Sequence, residues 1–132
     1  MFIILIYNMK ADQFTKSILD LDNDILFSGV IEKSGHLNIS NQRDSLDKHL
    51  KGRNAELIIS ESAYAVDLRK AFTTSFGSLN SICYQYSSLK ILIIPVKENV
   101  LFLVINKNVE ADDLTQKVYS IINSTKELDF YS

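Results

Sequence analysis

The sequence predicts an α/β (α+β) domain in the order α-β-β-α-β-β-β-α, a five-stranded antiparallel sheet with helices on both faces. Three observations carry this expectation. Phe27 to Ser40, "FSGVIEKSGHLNIS", reads as two short strands joined by a tight turn around Gly35. Asn54 to Thr74 contains neither Gly nor Pro and is apolar on more than one side, as a covered helix is. Ser78–Tyr86, Leu89–Val96 and Val100–Ile105 follow one another through "YSSL" and "VKENV", turns short enough to force antiparallel hairpins.

The elements follow in order. Residues 1–10 form an apolar extension beginning "MFIILIYN". As a helix, Phe2 to Tyr7 would cover about 9 Å of a hydrocarbon core about 30 Å thick, so no membrane span is expected. A signal peptide carries its positive charge before the apolar run, whereas Lys10 comes after it. Three alternatives stay open for the segment: a strand, a docking segment, or a start-site artefact with Met9 as the native start. A single domain is expected over 11–124, followed by a frayed tail over 125–132.

Phe14, Ile18, Leu19 and Leu21 predict a short amphipathic helix with Asp12 near its positive end, broken at Asn23-Asp24. Ile25 to Glu32 is a strand, and Lys33-Ser34-Gly35-His36 turns it back into Leu37 to Ser40. Gly29, inside the first strand, marks a bulge or a close approach. Asn41 to Arg53 is a polar connection with a helical turn expected around Leu46 and Leu50. In the long helix Leu57, Ala65, Leu68 and Phe72 mark one face, and Ile59, Ala63 and Val66 another. Gly77 stands where a helix C-cap expects glycine.

"ILIIPV" and "VLFLVI" are continuously apolar, so the sheet is covered on both faces there. "LNSICYQY" is more polar and reads as an edge strand, with Tyr84 and Tyr86 on one side of it. Val109 to Ser124 closes the domain as a helix, with Leu114, Val118, Ile121 and Ile122 inward and Asp112 and Asp113 at its positive end.

With 46% hydrophobic and 23% charged residues, the 132-residue chain is an ordinary globular domain. A net charge of -2 gives no global basic field, so no nucleic-acid partner is expected. Lys48, His49, Lys51 and Arg53 form one basic cluster, read as a solvated helix entrance. Cys83 is the only cysteine, so an intramolecular disulfide is impossible and a reducing, cytoplasmic setting is the expectation.

No catalytic constellation is evident, and the chain is expected not to be an enzyme. His36 lies in a turn and His49 in a polar linker, which makes no metal set. Cys83 has no base beside it in sequence. Asp20, Asp22 and Asp24 hint at a cation loop, yet the glycine and distal glutamate of a calcium loop are missing. Gly29 to Gly35 has the wrong spacing for a phosphate loop and is followed by His36. No cofactor and no metal are expected.

The helix leading into "ILFSGVIEKSGHLNIS", the helix "NAELIISESAYAVDLRKAFTTSFG" and the strand triplet "SLNSICYQYSSLKILIIPVKENVLFLVI" together resemble the roadblock/LC7 (dynein light chain) family of the profilin-like group. The likeness runs from Ala11 to Ser124 and, more narrowly, the sequence resembles a set of uncharacterised archaeal roadblock-like proteins that share this order. It implies a non-enzymatic module that pairs with itself or a roadblock paralogue, sheets joined edge to edge and central helices packed together. It further implies a scaffold that binds or regulates a small Ras-like GTPase. Carried onto this chain, the dimer interface comprises Ile82, Tyr84 and Tyr86 on the edge strand and Ile59, Ala63, Val66 and Lys70 as outward positions of the helix. The alternative is a small-molecule sensory domain of PAS- or GAF-like type, which needs a cavity between sheet and helix.

Overall fold

A computed structural model describes residues 6–43 and 50–130. The chain runs through β1 (Ile6–Lys10), α1 (Ala11–Leu19), β2 (Ile25–Ile31), β3 (Leu37–Gln42) and α2 (Gly52–Arg69). A 3-10 turn over Lys70–Phe72 leads into α3 (Thr73–Phe76). Then come β4 (Ile82–Gln85), β5 (Leu89–Val96), β6 (Asn99–Asn106), α4 (Ala111–Ser124) and β7 (Thr125–Asp129).

The main sheet has five strands in the order β3-β2-β6-β5-β4, every pairing antiparallel. Its centre is buried on both sides because side chains alternate between two apolar layers. Leu92, Ile94, Leu101, Leu103 and Ile105 face Phe14 and Ile18 of α1 and Leu114 and Val118 of α4. Ile91, Ile93, Val100, Phe102 and Val104 face the opposite way, toward Ile59 and Val66 of α2. A register shift between Ile25 and Phe27 lets Leu26 and Phe27 both enter this second layer. There Phe27 meets Phe102 edge-on, ring centres 5.9 Å apart.

The hairpin forms as its sequence predicts. Gly35 has φ +90°, a conformation most side chains resist, and its N–H donates to the Glu32 carbonyl. A Cβ on Gly29 would come within 2.8 Å of both Leu37 Cδ1 and Phe27 Cε1, so any side chain there would have to displace these neighbours. β3 runs on to Gln42, beyond the expected Ser40. Next in the chain, Arg43 donates from Nε to the Ile25 carbonyl and from Nη2 to the carbonyls of Leu19 and Asp22. One guanidinium thereby closes the C-terminus of α1 and ties it to β2. The helical turn expected around Leu46 lies outside the described residues.

Three expectations are corrected. The tail is not frayed: β7 pairs in parallel with β1, Met9 opposite Leu128 and Lys10 opposite Asp129. Leu128 and Phe130 supply the apolar anchor, Phe130 lying 5.6 Å from the Phe14 ring while its carbonyl accepts from Asn38 Nδ2 at 2.7 Å. The strand expected over Ser78–Tyr86 is paired only from Ile82 to Gln85. The central helix ends its regular turns at Arg69, and the 3-10 turn carries the chain on to Phe76 before Gly77, at φ +86°, stops it.

Candidate interaction surface

The orientation of α2 decides which of its two apolar stripes is free. Ile59 and Val66 are buried, 8% and 3% exposed, and Ala63 packs partly buried against the same layer. The expectation that Ile59, Ala63 and Val66 point outward is therefore reversed. Ser62 and Ala65 are also buried on the sheet-facing side, Ser62 turning its hydroxyl back to the Ile58 carbonyl. These small residues let the helix settle close to the strands, which the bulk of Leu57, Tyr64 and Leu68 would prevent. Those three stand in solvent instead, 54%, 64% and 50% exposed. Leu57, Glu61, Tyr64 and Leu68 follow at spacings of four, three and four, one continuous stripe along the helix.

Beside this stripe runs β4, which among the described residues has a neighbour on one edge only. Its pairing to β5 sets Ile82 opposite Ile93 and Tyr84 opposite Ile91, so Ile82 and Tyr84 share the α2 face of the sheet. The Tyr84 hydroxyl donates to Glu61 Oε1 at 2.8 Å and ties the edge strand to the helix stripe. Burial, and then the Glu61 carboxylate that accepts this bond, push the Tyr84 hydroxyl up to about 12. Tyr86, just past the strand, is more than half exposed. Lys70 lies outside the stripe in the 3-10 turn, 3.6 Å from Asp67 in an exposed ion pair. The structure thus gathers Ile82, Tyr84 and Tyr86 along one edge and withdraws Ile59, Ala63 and Val66 beneath the helix.

Each end of that edge carries an apolar feature absent from the sequence reading. Past α2, Phe72 and Phe76 stack with ring centres 6.0 Å apart, and Phe76 is 82% exposed. They border an open 670 Å³ groove with Leu68 and Leu79. At the other end, Leu50, Ile58, Tyr86 and Leu89 border a 360 Å³ pocket over Ile91 and Val104. The signal for the first was available in "KAFTTSFG", where two phenylalanines four apart precede a helix stop.

The residues considered for chemistry have local structural partners. His36 Nδ1 lies 3.2 Å from Ser34 Oγ within the hairpin turn. Asp22 Oδ1 accepts the Asp24 N–H, and Asp24 Oδ1 accepts from Asn106 Nδ2. Burial pushes the Cys83 thiol up despite the opposing pull of Lys90, so its thiolate is disfavoured. His49 lies outside the described residues. Among the described residues no three His, Cys, Asp or Glu side chains gather in a metal-holding group, and no helix is long and apolar enough to cross a membrane.

No protein-family model matches this sequence, and no curated protein matches it. Solved structures do share its fold. A roadblock/LC7 domain from Streptomyces avermitilis superposes with a TM-score of 0.66 at 10% identity, over 88% of this chain and 94% of that one. The gliding protein MglB from Thermus thermophilus superposes with a TM-score of 0.64 at 9% identity, over 86% of this chain and 87% of its own. Profilin II from Acanthamoeba castellanii gives a TM-score of 0.54 at 12% identity, over 83% and 95%. The fold is therefore roadblock-like within a wider profilin-like architecture.

Proposed function

We propose that this chain is a non-catalytic interaction module that pairs with a second copy of itself or a roadblock paralogue, and that the pair scaffolds or regulates a small Ras-like GTPase. One observation carries the pairing: the free edge of β4 lies beside an exposed apolar stripe, Leu57, Tyr64 and Leu68, on the same face of the sheet. An unpaired edge offers backbone donors and acceptors to a second strand, and the stripe offers apolar area to a second helix. The roadblock-like fold supports the GTPase part by analogy, and one MglB structure is described as having a tetrameric arrangement. A PAS- or GAF-like sensor needs a ligand cavity between sheet and helix. The middle of both layers is filled by fully buried side chains, Leu92 and Leu103 on one side and Ile93 and Phe102 on the other, and the 360 Å³ pocket between the start of α2 and the sheet is open to solvent rather than enclosed.

The test is solution mass by light scattering over a range of concentrations. A mass of about twice 15.0 kDa that falls away in Tyr84→Lys supports pairing through this edge. A monomer throughout removes self-pairing. The GTPase part is tested by co-elution of the chain with Ras-like GTPases loaded with GDP or a non-hydrolysable GTP analogue. A binding difference between the two nucleotide states is the expected result.

A further inference from the structure

We infer that Phe76 of one copy inserts into the pocket formed by Leu50, Ile58, Tyr86 and Leu89 of the second copy, so that each protomer completes an apolar site on the other. This rests on the edge-to-edge pairing proposed above and adds what fixes its register.

The most exposed large apolar side chain among the described residues, Phe76, stands before the start of β4, on the groove it shares with Leu79, three residues ahead of Ile82. The pocket stands at the opposite end, where Tyr86 and Leu89 leave β4 for β5. Knob and hole thus lie at opposite ends of one free strand edge. Identical strands paired antiparallel about a twofold set the residues before the axis on one copy beside those after it on the other. With the axis through the middle of β4, at Cys83 or Tyr84, Leu79 of one copy comes alongside the Tyr86–Leu89 turn of the second. Both features lie on the α2 face, so the twofold keeps them on the same side of the joined sheet.

The fit is chemically sound. An apolar cavity of about 150 Å³ already admits a benzene ring, and this pocket offers 360 Å³ over a floor of Ile91 and Val104. The 3-10 turn over Lys70–Phe72 ends the regular helix and carries the chain on to the Phe72–Phe76 stack. The stack gives the inserting ring support from within its own chain, as interface anchors have. By the twofold, each dimer holds the contact twice.

The experiment uses the full chain with Cys83→Ala to remove the native thiol. Phe76→Cys and Asn54→Cys are made as separate variants, Asn54 lying on the pocket wall. A short bismaleimide is added to each alone and to the mixture. Crosslinking in the mixture alone is the expected result, because the two positions meet only across the twofold. In parallel, Phe76→Ala is expected to weaken self-association about 10- to 100-fold, with circular dichroism unchanged because the ring is exposed in the single chain. A wild-type dimer with no mixed crosslink, or with Phe76→Ala at wild-type affinity, overturns the insertion and leaves edge pairing standing. A wild-type chain that stays monomeric overturns both.

Discussion

Tyr84 and Glu61 meet at 2.8 Å across the gap between edge strand β4 and helix α2, phenol donating to carboxylate. This bond joins the two halves of the candidate surface, and it titrates. With the folded-state value raised to about 12 from an ordinary 10.0, the protonated phenol is favoured by the fold. The folded state holds more protons than the unfolded chain between those values, so this contribution is complete below about pH 10 and is lost as pH rises toward 12. Tyr84→Phe is expected to make the alkaline fall in thermal stability shallower over that window. At neutral pH it costs about 0.5–1.5 kcal/mol, read from urea midpoints.

The two stripes of α2 predict opposite mutational responses. Ile59→Ala removes a side chain buried against the sheet and is expected to cost about 2–5 kcal/mol. Leu68→Ala, on the exposed stripe, is expected to stay within about 0.5 kcal/mol for the single chain. Denaturant unfolding of both variants, at concentrations low enough to keep the chain monomeric, checks which stripe faces the sheet. Equal costs would contradict this orientation.

Ser28 is fully buried in β2, and its hydroxyl has no hydrogen-bond partner among the described residues. A desolvated hydroxyl without a partner opposes folding, whereas a methyl group at the same place does not. Ser28→Ala is therefore expected to stabilise the domain by about 1 kcal/mol, seen as a rise in Tm.

Phe130 anchors the C-terminal strand against Phe14. Phe130→Ala is expected to cost about 3–5 kcal/mol and to expose the backbone amides of β7 to hydrogen exchange. A neutral outcome would return this segment to the frayed tail that its composition suggests.

The hairpin and the strand triplet were legible because their information is local. Gly35 announces its positive φ, and the unbroken apolar runs of β5 and β6 announce cover on both faces. β7 was not legible because "TKELD" reads as polar and its partner β1 lies at the far end of the chain. Arg43 was not legible either. A lone arginine in a polar connection carries no sign that it will reach the carbonyls of Leu19, Asp22 and Ile25.

The candidate surface divides in the same way. Ile82, Tyr84 and Tyr86 lie along an edge strand, as the polar character of the segment predicts, and that is a property of the strand itself. The side that Ile59, Ala63 and Val66 take is not legible, because α2 has two apolar stripes and periodicity alone ranks neither above the other.

The sequence by itself determined the order of the main elements from α1 to α4, the antiparallel triplet and the edge position of β4, because turn length and hydrophobic period act over a few residues. Only the tertiary structure decided which stripe of α2 is free, where Phe76 and the Leu50–Leu89 pocket stand, and that the two termini pair. Those depend on how closely the small residues Ser62 and Ala65 let the helix approach the sheet, and on contacts between segments far apart in the chain.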